Sequence, residues 1–136
     1  MTGSMNNARD WHTASVLTNG KVLVTGGLDN SGIVNSTELY DPSTGTWTIT
    51  GSMNNERYQH TASVLTNGKV LVTGGWVSSD GSVNSTELYD PSTGTWTMTG
   101  SMNNVRRLHT ASVLTNGNVL VTGGLNVIGL NSSELY

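Results

Sequence analysis

The residues of this sequence that are able to do chemistry come in threes. His12, His60 and His109 recur at spacings of 48 and 49 residues, Arg9, Arg57 and Arg106 stand three residues before them, and Glu38, Glu87 and Glu134 follow further on. Three imidazoles are a conceivable zinc ligand set, and paired carboxylates could divide acid and base roles if their environments differed. Ser15, Ser63 and Ser112 offer hydroxyls, but each follows Ala in a strand-like run and lacks the turn that exposes an activated nucleophile. Equivalent Glu residues in equivalent surroundings do not separate into an acid and a base. Only 11% of the residues are charged, so a charge kept in every copy calls for a partner. An Arg–Glu pair that ties a loop to a later strand is therefore the expected role. A repeated His likewise reads as a repeated hydrogen bond. No catalytic constellation emerges; the expectation is a non-enzyme with no cofactor and no metal.

These side chains are set in a repeat, and a repeat of this period fixes the architecture. The run His-Thr-Ala-Ser-Val-Leu-Thr-Asn-Gly starts at His12, His60 and His109, continues through Val-Leu-Val-Thr-Gly-Gly to Gly27, Gly75 and Gly124, and leads to Glu-Leu-Tyr ending at Tyr40, Tyr89 and Tyr136. The first two copies go on through Asp-Pro-Ser-Thr-Gly-Thr-Trp-Thr, with Trp47 and Trp96. Each unit predicts four short strands, A to D, over roughly 12–18, 21–26, 36–41 and 45–49 in the first copy. Asn19-Gly20 between A and B predicts a type I′ hairpin, whose two central residues both need positive φ. Asp41-Pro42-Ser43-Thr44-Gly45 predicts the C–D turn, because Pro presets φ and Gly supplies a positive-φ position. Val, Leu, Thr, Tyr and Trp fill the strands, as half-buried pleated segments require. Such a meander cannot bury both faces alone, but stacked radially each sheet covers its neighbour, which is the β-propeller arrangement. A parallel β-helix is the rival repeat fold, and the hairpin turns exclude it.

The double glycine after an apolar strand, followed by a Tyr and a Trp seven residues apart (Tyr40/Trp47, Tyr89/Trp96), resembles the kelch repeat over essentially the whole chain. Arg9/His12, Arg57/His60 and Arg106/His109 are also similar to that pattern. The resemblance implies an all-β fold of kelch-type propeller blades, as repeats 1–49, 50–98 and 99–136, the third lacking its outer strand. It also implies a binding or scaffolding role. Some kelch-containing relatives are copper radical enzymes of the galactose-oxidase type, but their Tyr–Cys cofactor cannot form in a chain without cysteine. Direct coordination by three His on three blades is awkward at propeller spacing.

Comparison of the copies locates the recognition surface. They differ at Ala8/Glu56/Val105, at Asp10-Trp11, Tyr58-Gln59 and Arg107-Leu108, and after the double glycine, where Leu28–Val34, Trp76–Val83 and Leu125–Leu130 differ in length. In an antiparallel meander the A–B and C–D turns share one face, and the B–C and D–A loops share the other. Almost all the variation falls on this second face. Aromatic and Arg residues on variable loops of a rigid scaffold are the composition of recognition surfaces. Trp11, Asp10, Tyr58, Gln59, Trp76, Arg107, Leu108, Leu28 and Asp80 are therefore the candidate binding residues, for a protein or glycan ligand. The competing reading is loop drift in a structural building block that self-assembles. Asn35, Asn84 and Asn131 each begin an N-glycosylation pattern, which is also what duplication of one chance turn-forming Asn would leave.

Half of the 136 residues are Thr, Asn, Ser or Gly, and the net charge of −3 comes without an acidic or basic run. That excludes the electrostatic footprint of a nucleic-acid or anionic-membrane partner. No stretch approaches a membrane span, and Met1-Thr2-Gly3-Ser4-Met5 is not a signal peptide. The compartment stays open, the extracellular side being the favoured expectation. Closed propellers have about four to eight blades. Three blades are therefore expected either to form a six-blade dimer, each open face covered by its equivalent in the partner, or to be part of a longer propeller cut within the repeat at both ends.

Overall fold

The computed structural model describes residues 2–136, and its regular structure is entirely β. In the first repeat the strands are β1 (Thr13–Val16), β2 (Val22–Thr25), β3 (Leu28–Asp29), β4 (Gly32–Ile33), β5 (Thr37–Asp41) and β6 (Thr46–Ile49). The second repeats the series as β7 (Thr61–Val64), β8 (Val70–Thr73), β9 (Trp76–Val77), β10 (Gly81–Ser82), β11 (Thr86–Asp90) and β12 (Thr95–Thr99). The third has β13 (Thr110–Val113), β14 (Val119–Thr122) and β15 (Ser133–Leu135). Each repeat is one antiparallel sheet, ordered β1-β2-β5-β6, β7-β8-β11-β12 and β13-β14-β15. These are the expected four-stranded blades, with three strands in the last, and they form part of a propeller rather than a closed ring. The innermost strands β1, β7 and β13 lie side by side. Two features were not foreseen: β3 pairs with β4 and β9 with β10, so the B–C loops of blades 1 and 2 carry small hairpins of their own.

Alternation along the strands gives every blade two different faces. Leu23 pairs with Leu39 on one side, whereas Val22, Tyr40 and Trp47 pair across the strands on the other. The leucine face of one blade packs on the valine–aromatic face of the next. Leu17, Leu23 and Leu39 meet Met53, Val70, Val72, Tyr89 and Trp96 at the first seam. Leu65, Leu71 and Leu88 meet Met102, Val119, Val121 and Tyr136 at the second. Complete burial of side chains such as Leu71 or Val72 contributes about 1.5–3 kcal/mol each. The two outermost faces are thus unlike: blade 1 presents its valine–aromatic side and blade 3 its leucine side. Like faces do not meet at either internal seam.

The A–B turn also departs from expectation. Gly20 alone has positive φ, 83°. Its N–H donates to Leu17 O at 2.9 Å, while Leu17 N–H donates to Lys21 O at 2.8 Å. The loop is therefore the three residues Thr18-Asn19-Gly20, a turn closed by a left-handed glycine, and not a two-residue type I′ turn. Asn19 Oδ1 accepts the Lys21 N–H at 3.0 Å, so the Asn acts through its side chain and not through a left-handed backbone. The C–D turn is as expected: Gly45 has φ 70° and donates to Asp41 O at 2.8 Å, and Asp41 Oδ1 takes the Ser43 N–H at 2.9 Å.

The segment linking blades 1 and 2 crosses the aromatic face of blade 2. Trp96 Nε1 donates to Gly51 O at 2.9 Å, and Gly51 N–H donates to Gly94 O at 3.2 Å. A Cβ at Gly51 would lie 2.2 Å from Gly94 O, whereas at the equivalent Gly100 the nearest atom is the Tyr136 hydroxyl at 3.9 Å. Gly51→Ala is accordingly expected to destabilise the chain by about 1–3 kcal/mol, since backbone must move. Gly100→Ala should stay within about 0.5 kcal/mol. Urea titrations of the two variants check the pair, and equal midpoints would show that the Gly51 contact relaxes freely.

Candidate functional site

Three polar constructions recur along the chain, and the first anchors the loop before strand A. Arg9 Nη1 donates to Gly26 O (3.0 Å) and Ser36 O (2.9 Å), and its Nη2 donates to Ser36 Oγ (3.0 Å) and Glu38 Oε1 (2.9 Å). Glu38 also accepts the Asn6 N–H at 2.7 Å and the Asn7 N–H at 3.1 Å. The expected Arg–Glu pair is therefore present, within each blade, as Arg9–Glu38, Arg57–Glu87 and Arg106–Glu134. Burial opposes ionisation of Glu38 and Glu134. The Asn N–H groups and the guanidinium outweigh it, holding Glu38 below the usual carboxyl range and Glu134 down to about 2. These carboxylates are fully engaged, which suits an anchor rather than an acid or base.

The second construction joins neighbouring blades through His. His60 Nε2 lies 3.1 Å from Thr13 Oγ1, and His109 Nε2 lies 3.0 Å from Thr61 Oγ1 and from Thr73 Oγ1. Each His reaches the preceding blade, a role the sequence predicts as a hydrogen bond without naming the partner. Among the described residues, no group of three or more His, Asp or Glu side chains is placed to hold a metal. The first sequon Asn serves the same seam: Asn35 Nδ2 donates to Met53 O and Asn84 Nδ2 to Met102 O, both at 2.9 Å. In these two the nitrogen that a glycan would modify is in the seam, whereas Asn131 is exposed.

The third is the loop face. Paired backbone bonds join the D–A loop to the B–C loop at Asp10 and Leu28, at Tyr58 and Trp76, and at Arg107 and Leu125. The double glycine allows this approach: a Cβ at Gly27, where φ is 101°, would sit 2.3 Å from Asp10 O. Immediately after each bridge, Trp11, Gln59 and Leu108 take φ of 53°, 56° and 52°. Left-handed backbone is uncommon outside glycine and is held here by the surrounding bonds. Of these three variable side chains, Trp11 and Leu108 are 53% and 46% exposed.

Blades 2 and 3 bring five of the predicted residues together. The Arg107 guanidinium sits 4.5 Å from the Trp76 ring centroid. Its Nη1 lies 3.5 Å from Gln59 Oε1, and Leu108 N–H donates to Gln59 O at 3.0 Å. Tyr58 is bridged to Trp76. Trp11, Asp10 and Leu28 lie on the same face of blade 1, outside this cluster, and exposed Asp80 sits on the tip of the β9–β10 hairpin. The sequence reading missed Glu56, whose carboxylate accepts the Ser78 hydroxyl and ties the two loops of blade 2 together. Its variation among Ala8, Glu56 and Val105 was the available signal.

Comparison with known protein families matches the kelch motif at residues 12–54 and again at 57–103. No curated protein matches the chain. The two matched segments are consecutive, cover most of the sequence and contain the first two double glycines, the Tyr–Trp pairs (5.1 Å between ring centroids in both) and the His60–Thr13 seam bond. With the blades and seams described above, this chain belongs to the kelch-repeat family.

Proposed function

We propose that the chain is a non-catalytic recognition module that binds a protein or glycan through its B–C and D–A loop face. Kelch repeats generally mediate binding or scaffolding, and the observation that carries the finer reading is the Arg107–Trp76 stack across blades 2 and 3. Both residues come from segments that differ among otherwise near-identical copies. A guanidinium over an indole offers a flat, half-buried surface with donors at its rim. It suits the aromatic and polar groups of a protein or the apolar face and hydroxyls of a sugar.

The test is a pull-down and a glycan array with the intact chain, repeated with Trp76→Ala, Arg107→Ala and the turn variant Ser43→Ala. Trp76→Ala and Arg107→Ala are each expected to weaken the captured ligand about tenfold or more, with Ser43→Ala unchanged. Full affinity in both loop variants, or loss confined to the turn variant, would move binding off this face. The second reading, a self-assembling structural block, would leave the loop variants indistinguishable from wild type in every assay.

A further inference from the structure

Six side chains of this chain are Lys or Arg, and among the described residues five of them face a carboxylate. Arg9–Glu38, Arg57–Glu87 and Arg106–Glu134 anchor the loops, and Lys21–Asp41 and Lys69–Asp90 lie at the turns. Among the same residues the sixth, Arg107, has no such partner. It stands where the other copies have Asp10 and Tyr58, so its charge is no part of the repeated frame.

The Arg107 guanidinium is nevertheless held in place, over the internal seam of blades 2 and 3. Its backbone exchanges hydrogen bonds with Leu125 at 2.9 and 2.8 Å, and the next residue, Leu108, donates to Gln59 O across the seam at 3.0 Å. The Trp76 ring lies under the guanidinium at 4.5 Å. Nε is shut off from solvent without an acceptor, whereas Nη2 reaches solvent. Nη1 meets Gln59 Oε1 only at 3.5 Å, the long limit of a hydrogen bond. The acids of the blade 2 loops do not fill this place: Glu56 takes the Ser78 hydroxyl, and Asp80 is exposed at the hairpin tip. A guanidinium fixed on an aromatic ring and weakly hydrated presents a planar fork of N–H donors, which matches a carboxylate in two parallel bonds.

We propose that Arg107 is the subsite for an Asp or Glu side chain of a protein ligand, received end-on by Nη1 and Nη2. This rests on the loop-face reading above and narrows it from protein or glycan to an acidic protein segment. The state of Trp76 decides between the two. Arg107 covers the ring, and Gly81 lies against its six-membered end, where an added Cβ would meet Cη2 at 3.4 Å. A sugar ring needs an open aromatic face on which to stack. A carboxylate on a flexible side chain needs only the edge of the guanidinium.

Heteronuclear NMR of the intact chain tests this on its four arginine Nε–H signals. The probes are a short capped peptide with a central Glu, its Gln twin, and an oligosaccharide of glucuronate. The Glu peptide is expected to shift the Arg107 signal and to saturate in the millimolar range that suits one bidentate contact, with the Arg57 and Arg106 signals unmoved. The Gln twin and the oligosaccharide should each bind about tenfold more weakly or worse. Equal shifts from the Glu and Gln peptides, no shift at all, or tighter binding of the oligosaccharide each overturn the proposal. Arg107→Lys keeps the charge and loses the fork, so Glu-peptide affinity, followed on the Trp76 indole N–H, should fall about tenfold. Unchanged affinity in that variant would mean general attraction only and would also overturn the subsite. The contrast between the Glu and Gln peptides on the wild-type chain needs no variant to fold. Loss of a captured ligand in Trp76→Ala without any response to the Glu peptide would retain the loop face and reject this subsite. Capture unaffected by both loop variants would reject the loop face itself.

Discussion

Arg57→Ala is expected to lower the unfolding free energy by about 3–5 kcal/mol, the loss seen when one member of a buried ion pair is removed. Arg57 and Glu87 side chains are both fully buried, 2.9 Å apart. Arg57 further donates to Gly74 O at 2.7 Å and to Ser85 O at 3.1 Å, so its removal strands three acceptors at once. The exposed Lys69–Asp90 pair is the internal control: it is 3.0 Å long, with Lys69 38% exposed. Lys69→Ala should cost no more than about 1 kcal/mol. Urea melts of both variants make the comparison, and a double-mutant cycle with Glu87→Ala isolates the pairwise part. Equal, small shifts would reduce Arg57 to a spectator. Since small domains have about 5–15 kcal/mol of total stability, loss of one anchor is expected to bring the chain close to unfolding.

Mild acid is expected to unfold the protein through His60 and His109. Burial, reinforced by the Arg57 charge, pulls His60 from 6.5 down to about 3. Burial and Arg106 pull His109 down to about 4. In the unfolded chain both imidazoles take a proton near pH 6.5, while in the folded chain they resist. The unfolded state therefore binds more protons below that pH, and stability falls as pH falls. The contribution is fully present above about pH 7 and is lost at up to about 1.4 kcal/mol per pH unit for each imidazole. Urea midpoints between pH 8 and pH 4.5 should be flat to about pH 7 and then drop steeply. His60→Gln, which removes one titrating group while keeping a donor near Thr13, should flatten the slope by about half. A wild-type profile that stays level down to pH 5 would mean that the imidazoles are hydrated in solution.

The frame was legible because each element has its own local signal. Val22 to Val24 alternate around Leu23, Asp41-Pro42 and Gly45 mark a turn, and Tyr40 and Trp47 stand opposite each other across β5 and β6. Arg57 and Glu87 were legible for a different reason, as charges retained in every copy of a charge-poor chain. The A–B turn was misread because an Asn-Gly pair does not reveal loop length; pairing of Leu17 with Lys21 sets that. The left-handed backbone at Trp11, Gln59 and Leu108 has no local signal, since Trp, Gln and Leu share none of the chemistry that favours such φ. The bridge to the B–C loop imposes it from outside. The same holds for His60 and Thr13, 47 residues apart, which only the stacking of blades brings together.

The sameness of the two seams bears on how such a gene can change. Slippage or unequal crossing-over that deletes one repeat from the coding DNA would join blade 1 directly to what had been blade 3. The new junction would again set Asn35 against Met102 and Gly27 against Arg106, which are the partners those residues' equivalents already have. Copy number can therefore drift while every junction stays chemically familiar. The loop between Gly75 and Ser85 travels with its blade, so each such event also reshuffles the order of side chains around the loop face.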